Sequence, residues 1–407
     1  MYWKKMSHEE INDRVDQALG LNLNYRKNTI LGVPASYLDE EEFYDNAPFL
    51  EDAPFLKTFI ANPNHIGCHT HTREKSEPFF QGTQKIEIEL IDLIAEEIFK
   101  AEPNSCDGYV SPGGTEANIQ AMWVYRNYFQ QEHGAKLDEI ALIYSADSHY
   151  SLPKGANLLG LNSIIIDVDF WTRKLDLDQL KTQIQNAQAE GVKHFIVFQN
   201  LATTMFGSID PIEETTAILK ENNASFRLHV DGAFGGFVYP FAVVNDDFSF
   251  KNPDISSFTL DGHKMLQTPY GTGIFMIRRG MMQYAETPEA SYVHGKDFTI
   301  CGSRSGANAI SIWMTLMIHG SMGWQVKVER FLERTSRFCS KLDKANIRYF
   351  RNPNINIAAI CAQDISADLA RAYHLVADNP DDPKWWKIVV MDHVAQGVLD
   401  EVAGKMV

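Results

Sequence analysis

The sequence predicts an α/β fold in which a mostly parallel sheet carries helices on both faces and a small αβ domain follows. Between residues 106 and 278, short apolar runs of strand length alternate with amphipathic stretches of helical period. This alternation is typical of parallel strands that are joined by helices. With 407 residues the chain can bury a large core, and its length favours two or three domains.

The spacing of apolar residues defines the elements along the chain. Residues 1–62 combine a polar helical start with an acidic stretch that prolines interrupt, which predicts an arm with little chemistry of its own. Leu90, Ile91, Ile94 and Ile98 then share one face of a helix. Strand and helix units follow, with strands predicted at 140–144, in the run KHFIVFQNLATT with Thr203 and Thr204 at its end, and at 225–230. The last residues, from about 346, predict the small domain.

Composition and charge disfavour several classes of function. The formal net charge of -16 argues against binding to nucleic acid or to an anionic membrane, because both need a basic surface. No apolar run reaches the length of a bilayer span, and the charged N-terminus lacks the apolar core of a signal peptide. The five cysteines are scattered and odd in number, which favours a reducing cytoplasm over a disulfide framework.

An acid and a lysine stand at the ends of two consecutive predicted strands. Asp231 follows the run SFRLHV, and Lys264 follows DISSFTL with His263 before it. Open α/β sheets bind ligands at the carboxyl ends of their strands. Pyridoxal phosphate (PLP) needs an amine that forms a Schiff base with its aldehyde, and a carboxylate that keeps its ring nitrogen protonated. Lys264 and Asp231 suit these roles; a helix-capping acid and a solvated lysine are the competing interpretation.

A glycine turn before a helix predicts a phosphate site. Gly113 and Gly114 follow a strand end and precede a helix that begins at Thr115. Backbone N–H groups of such a turn can close on an anion, while the helix N-terminus adds the positive end of a dipole. Gly114 and Thr115 are therefore the predicted phosphate ligands. Ordinary helix capping would give the same pattern.

The segments HVDGAFGGF and DGHKMLQTPYGTG resemble the group II PLP-dependent amino-acid decarboxylases, and most of all the short bacterial histidine and archaeal tyrosine/aspartate decarboxylases. The similarity extends from about residue 62 to residue 391. It implies the PLP-dependent transferase fold of type I, with a seven-stranded sheet. It also implies an N-terminal arm (1–75), a large PLP-binding domain (76–302), a small C-terminal domain (303–407), and a homodimer with active sites at the subunit interface.

The resemblance implies roles for residues around the cofactor ring. His149 stacks on the ring and contacts the substrate carboxylate in similar enzymes, and its nitrogens can exchange a proton near the reacting carbon. Thr203 hydrogen-bonds the stacked histidine or the ring oxygen. Ala233 is small enough to lie against the other face of the ring. For the neighbouring Thr204, capping of the helix that begins near residue 211 is an open alternative.

Two more residues are implied at the cofactor phosphate. His263, directly before Lys264, would supply a donor. Ser303, in the motif CGSRSG, would reach the phosphate of the neighbouring subunit. A plain helix cap is the competing interpretation of Ser303.

A histidine-rich loop precedes the first long helix of the large domain. It contains His65, Cys68, His69 and His71. These are ligand types for zinc, but no second ligand cluster at a recognised spacing follows, so we predict no metal. The resemblance makes His65, His69 and Thr70 candidates for lining the substrate pocket, and a simple polar turn is the alternative.

The reaction that the resemblance implies is α-decarboxylation of an L-amino acid. The substrate amine replaces Lys264 in the Schiff base, CO2 leaves Cα while the protonated ring accepts the electrons, and protonation releases the amine. Transamination or another C–C or C–S cleavage stays open, and would gain support if Arg351 held the substrate carboxylate. A non-catalytic PLP-binding protein is a further alternative. The substrate is open among histidine, aromatic amino acids, aspartate and glutamate.

Overall fold

Helices and strands alternate through most of the chain in the computed structural model, which describes residues 1–22, 54–66, 79–286 and 296–406. The helices are α1 (His8–Leu21), α2 (Pro54–Ala61), α3 (Gln81–Leu93), α4 (Gly114–His133), α5 (Ser151–Leu159), α6 (Leu177–Ala189), α7 (Ile212–Glu221), α8 (Tyr239–Ala242), α9 (Gly306–Lys344), α10 (Ala367–Ala372) and α11 (Gln396–Met406). The strands are β1 (Asn64–Ile66), β2 (Cys106–Ser111), β3 (Ile140–Ser145), β4 (Asn162–Ile166), β5 (His194–Asn200), β6 (Ser225–Asp231), β7 (Ile255–Asp261), β8 (Gly273–Arg278), β9 (Ser303–Ser305), β10 (Tyr349–Phe350), β11 (Ile357–Cys361), β12 (Val376–Ala377) and β13 (Trp385–Val389).

The central sheet contains seven strands, β2 to β8. Strands β6, β5, β3 and β4 lie side by side in that order and are parallel. Strand β8 pairs antiparallel with β2 and with β7. Every residue of β3 and β5 is buried, which is typical of parallel strands covered on both faces. The predicted α/β fold with a seven-stranded, mostly parallel sheet is confirmed.

The chain divides into two compact units. The first comprises Met1–Lys136 and Ser249–Trp324, and the second comprises Leu137–Phe248 and Gln325–Val407. The second unit also contains an antiparallel sheet of four strands in the order β10-β11-β13-β12. The domain boundaries predicted at residues 75 and 302 stay a prediction.

Two further expectations can be compared with the described residues. Among their helices, none combines the length and the apolar character that a bilayer crossing requires. Four cysteines lie in this part of the chain, and all are free thiols: Cys106, Cys301, Cys339 and Cys361. The fifth, Cys68, lies outside the described residues.

A buried ion pair fixes the start of α9 in the first unit. Arg304 lies in β9, which pairs antiparallel with β1. Its Nη1 donates to the Glu87 carboxylate of α3 and to the Val110 carbonyl at 3.0 Å. Glu87 also accepts from the Val110 N–H at 2.9 Å and lies 3.4 Å from His65 Nδ1. Burial alone would raise the pKa of Glu87, but the charges of Arg304 and His65 hold it well below its usual range.

Replacing Arg304 with methionine is expected to lower the free energy of unfolding by about 3–5 kcal/mol, because the buried Glu87 carboxylate loses its cationic partner. Urea unfolding followed by circular dichroism measures the loss. The double variant Glu87→Gln, Arg304→Met should recover part of it, since the buried charge is then absent. The control is Arg371→Met, which removes an ion pair exposed to water and should change stability little. Equal losses for the Arg304 and Arg371 variants would contradict the prediction.

The N-terminal segment supports an interruption in α9. Gly320 has a φ of +62° and a ψ of 172°, so the helix is kinked there. Met6 N–H donates to the Met317 carbonyl at 3.0 Å, and Trp3 Nε1 donates to the Leu316 carbonyl at 2.9 Å. Both carbonyls belong to the turn just before the kink, where a helix end needs donors from elsewhere in the chain. Trp3 is buried by this arrangement.

The kink predicts different effects on stability when Gly320 and Gly323 of α9 are replaced with alanine. A Cβ at Gly320 would lie 2.9 Å from the Lys5 backbone nitrogen, in a backbone conformation that L-residues rarely adopt. Gly320→Ala should therefore lower the free energy of unfolding by about 1–2 kcal/mol or more. Gly323→Ala is the matched control, since the nearest atom would be 3.7 Å away and alanine favours a helix. Thermal unfolding measures the midpoint of each variant. Equal changes in the two midpoints would contradict the prediction.

Candidate active site

Three predicted site residues lie at one edge of the parallel part of the sheet, in the second unit. Asp231 is the last residue of β6, Thr203 follows the end of β5, and His149 follows the end of β3. The pairing of β5 with β6 sets Asn200 opposite Asp231. Since parallel strands share the direction of their carboxyl ends, the loops that carry these residues emerge at the same edge, where ligands bind in such sheets.

The turn after β6 closes tightly on the turn after β5. Asp231 is buried, and its Oδ1 accepts from the Ala233 N–H at 3.1 Å. The Leu201 N–H donates to the Asp231 carbonyl at 2.8 Å. A Cβ at Gly235 would lie 2.2 Å from the Leu201 carbonyl oxygen, so only glycine allows this approach. These contacts fix the directions of the Asp231 carboxylate and the Ala233 methyl group.

The hydrogen bonds of His149 define its neutral tautomer. Its Nδ1 accepts from the Ser151 N–H at 3.3 Å and lies 3.0 Å from Ser151 Oγ. A nitrogen that accepts from a backbone N–H holds a lone pair, so neutral His149 carries its proton on Nε2. The adjacent Tyr150 ring has its centroid 4.0 Å from that of His149.

Thr203 is tied into its own loop. Its Oγ1 lies 2.7 Å from Ser208 Oγ and accepts from the Ser208 N–H at 3.2 Å. The contact of Thr203 with the cofactor stays a prediction. The alternative that Thr204 caps the next helix is wrong, because α7 begins at Ile212 behind Pro211 and has no side-chain cap.

A buried amide and a buried acid next to these loops were not predicted from the sequence. Asn200 donates to Asp210 Oδ2 from its backbone N at 2.8 Å and from its Nδ2 at 2.7 Å. The same Nδ2 donates to Ser148 Oγ at 2.9 Å, directly before the predicted stacking histidine. Burial raises the pKa of Asp210 to about 7, and the charges of Asp147 and Asp231 add to the rise. The only indication in the sequence was a polar residue, Asn200, at the end of a buried strand.

In the first unit, Lys264 and His263 share an acid that sequence reasoning also missed. Asp261 is the last residue of β7 and is 3% exposed. Its Oδ2 lies 3.2 Å from Lys264 Nζ and 3.7 Å from His263 Nε2. The signal was present as a carboxylate three residues before the lysine. Because the chain turns sharply after β7, this spacing brings the two charges together.

The predicted phosphate turn meets the same acid. Gly113 has a φ of +147°, which favours glycine, and Gly114 begins the 20-residue helix α4. A Cβ at Gly114 would lie 2.9 Å from Asp261 Oδ2, so the absence of a side chain allows the Asp261 carboxylate to lie against the start of α4. His263 Nδ1 is buried and has no hydrogen-bond partner within the described residues. The backbone N–H groups at the start of α4, a histidine donor and the Lys264 amine are the chemical groups that would suit the phosphate and aldehyde ends of PLP.

Ser303 and His65 occupy the paired strands β9 and β1. Ser303 is exposed, and its Oγ accepts from Asn64 Nδ2 at 3.2 Å. The helix-cap interpretation of Ser303 is wrong, because α9 begins only at Gly306. The contact of Ser303 with a neighbouring subunit stays a prediction. His65 is fully buried, with Nε2 2.8 Å from Thr83 Oγ1, which gives it a structural role.

The remaining candidates of the histidine-rich loop, Cys68, His69, Thr70 and His71, lie outside the described residues. Within the ranges that the structure describes, no three His, Cys, Asp or Glu side chains group as metal ligands would.

Arg351, the candidate carboxylate clamp, is engaged with the backbone. Its Nη2 donates to the carbonyls of Leu332 and Pro353, both at 3.2 Å. A guanidinium that satisfies main-chain carbonyls acts as a structural group, so these contacts give no support to the transamination alternative.

Known proteins resemble this chain over nearly its whole length. Residues 1–363 match the family model described as the pyridoxal-dependent decarboxylase conserved domain. Tryptophan decarboxylase of Clostridium sporogenes is 44% identical over 403 residues, which cover 98% of this chain and 96% of that relative. A probable L-tyrosine/L-aspartate decarboxylase of Methanocella arvoryzae is 30% identical over 356 residues, which cover 85% and 90%.

The fold is also that of solved enzymes. L-methionine decarboxylase from Streptomyces sp. 590 superposes with a TM-score of 0.70 at 19% identity, covering 98% of this chain and 93% of that one. This likeness concerns the fold alone. The family model and the relatives confirm the predicted family, the PLP cofactor and the reaction class. The chain thus belongs to the pyridoxal-dependent decarboxylases and is a PLP-dependent amino-acid decarboxylase.

Proposed function

We propose that this enzyme decarboxylates aromatic L-amino acids and that L-tryptophan is its preferred substrate. The supporting observation is the 44% identity with tryptophan decarboxylase over 98% of the chain. In the reaction, the bond between Cα and the carboxylate breaks, CO2 leaves, and a proton takes its place on Cα. Each turnover therefore consumes one proton and releases tryptamine.

The proposed cofactor contacts of the first unit hold one end of PLP. When bound, PLP supplies an electron sink for the pair left on Cα as CO2 departs. Lys264 Nζ is the covalent anchor, and Asp261 holds that amine near the end of β7. The Gly114 N–H, Thr115 and His263 bind the phosphate, and Ser303 reaches the phosphate in the neighbouring subunit. The helix N-terminus of α4 offsets the phosphate charge beside Asp261.

The proposed contacts of the second unit act on the ring and on the substrate. When PLP is bound, the Asp231 carboxylate would accept a hydrogen bond from the ring nitrogen and keep a proton there. His149 would lie over one face of the ring and Ala233 against the other, with Thr203 as a hydrogen-bonding neighbour. With Nδ1 accepting from Ser151, the Nε2 atom of His149 would be the one available to the reacting groups. An apolar setting for the substrate carboxylate favours its loss, because neutral CO2 needs no solvation.

The assembly and location are part of the same proposal. A homodimer would place Ser303 of one subunit at the site of the other, and residues 1–75 are assigned to an N-terminal arm. The large domain spans 76–302 and the small domain 303–407. The four free thiols of the described residues support a reducing cytoplasm.

A substrate panel tests the proposed specificity. With PLP added, kcat/KM for CO2 release should be highest for L-tryptophan, lower for L-tyrosine and L-phenylalanine, and lowest for L-histidine, L-aspartate and L-glutamate. Amine formation should equal CO2 release, and no keto acid should appear. A preference for L-histidine or L-aspartate would reject the aromatic substrate class, whereas keto-acid formation would reject the reaction assigned to this chain.

Replacing Lys264 with alanine tests the covalent anchor. Because no other amine is assigned to the aldehyde, borohydride treatment should fix PLP to the wild-type peptide that contains Lys264 and leave the variant unlabelled by mass spectrometry. CO2 release should be lost as well. Lys220→Ala is the control, since Lys220 is an exposed residue of α7. Stable labelling of the Lys264 variant on another lysine would show that the anchor is misassigned.

A further inference from the structure

Arg173 connects two of the loops at the active-site edge. Its Nε donates to Asp147 Oδ2 at 2.9 Å, and its Nη2 donates to Asp147 Oδ1. Asp147 lies two residues before His149. On its other side, the guanidinium carbon stands 3.9 Å from the centroid of the Phe206 ring, in the loop that also carries Thr203. One side chain therefore touches the His149 loop and the Thr203 loop.

The Arg173 backbone adopts an unusual conformation to make this connection. Its φ is +52°, a left-handed value that costs a non-glycine residue on the order of 1–3 kcal/mol. Asp169 holds the turn, because its Oδ1 accepts from Trp171 N at 3.0 Å and from Thr172 N at 2.7 Å. Arg173 Nη1 adds a bond to the Phe170 carbonyl at 3.2 Å. Residue 173 is therefore an arginine although its positive φ would favour glycine.

The Phe206 ring that Arg173 contacts is packed against the four-stranded sheet. Phe206 is buried against Ala359, Cys361 and Trp385, which belong to strands β11 and β13 of the four-stranded sheet. Its centroid lies 5.8 Å from that of Trp385 in an edge-to-face arrangement. A ring fixed in this way gives the guanidinium a rigid platform.

Charge explains why Asp147 needs this partner. The Arg173 and Asp147 side chains are each 9% exposed. Asp147 lies close enough to the buried Asp210 for its charge to raise the pKa of Asp210. Without the guanidinium, Asp147 would be an uncompensated acid beside another acid, and moving outward to water would lower its energy. The residues that follow it, including His149, would move with it.

We infer that Arg173 is a positioning residue that holds His149 over the cofactor by bracing the His149 loop against Phe206 of the Thr203 loop. The inference rests on the proposed function, in which His149 stacks on the PLP ring. Asn200 anchors the same loop at Ser148, so Arg173 sets the direction of a loop that is already held at one point. Lysine keeps the charge but has neither the planar fork nor the stacking surface, so it should replace Arg173 only in part.

Removing the Arg173 side chain should lower kcat for L-tryptophan by roughly 10²-fold, the typical effect of misplacing a group by about 1 Å. Arg173→Ala should also weaken the visible circular dichroism of bound PLP, because the ring loses its fixed neighbour. Arg173→Lys should lie between wild type and Arg173→Ala. Guanidinium ion at a concentration that does not unfold the enzyme should restore part of kcat in Arg173→Ala and leave wild type unchanged.

Arg371→Ala is the control. Arg371 pairs with Asp368 on α10, where both side chains are exposed, and these contacts involve neither the Arg173 turn nor the His149 loop. Its removal should leave kcat and the dichroism of bound PLP unchanged. Equal effects of the Arg173 and Arg371 variants would overturn the inference.

A double-mutant cycle separates the inference from the proposed function. If Arg173 acts through His149, the variant Arg173→Ala, His149→Gln should be no slower than His149→Gln alone. Multiplied losses, or an Arg173→Ala enzyme that only melts earlier with unchanged kcat and dichroism, would overturn the inference alone. A His149→Gln enzyme with wild-type kcat and dichroism would instead reject the role of His149 in the proposed function, and the inference with it.

Discussion

The parallel pairing of β3, β5 and β6 is the constraint on which the active-site edge depends. Strands β3 and β5 are buried throughout and β6 is buried over its last four residues, so a ligand can approach this part of the sheet only at the strand ends. The register that sets Asn200 opposite Asp231 decides which side chains reach that edge, since a shift of one residue would turn each to the opposite face. The following loops are then fixed by main-chain contacts that only a glycine allows, as at Gly235.

Charge is balanced locally in both units. In the first, the Asp261 carboxylate lies close to Lys264, to His263 and to the N-terminus of α4, so the amine and the positive end of the helix dipole offset its charge. In the second, Asp210 lies among other acids and takes a pKa near neutrality, while Asp147 is compensated by a guanidinium. A chain with an excess of acidic residues thus provides cationic partners at the positions where cofactor binding would otherwise suffer.

Sequence reasoning succeeded where the signal was local. Alternating apolar runs gave the central sheet, and two short motifs gave the family, because each depends on residues close together along the chain. It failed for contacts across long separations. Asp147 and Arg173 are 26 residues apart, and neither stands in a recognisable pattern. The kink at Gly320 was invisible for the same reason, since its cause is a segment some 300 residues away.

Two interpretations that rested on a residue type alone found no support in the structure. Ser303 had been considered as a helix cap, and Arg351 as a carboxylate clamp. In the structure the serine lies in a short strand, and the arginine satisfies main-chain carbonyls. Residue identity does not decide such roles, because the same side chain can serve a ligand or its own backbone. The partners within reach decide them.

The docking of residues 3–6 onto α9 makes this N-terminal segment part of the helix framework. A chain shortened by its first six residues would keep each proposed catalytic side chain but would leave the bent helix open to water around Leu316. Any loss of activity in such a chain would then reflect fraying of a scaffold and not missing chemistry. Residues added before Met1 should be tolerated, because the side chains of Met1 and Tyr2 are exposed to solvent.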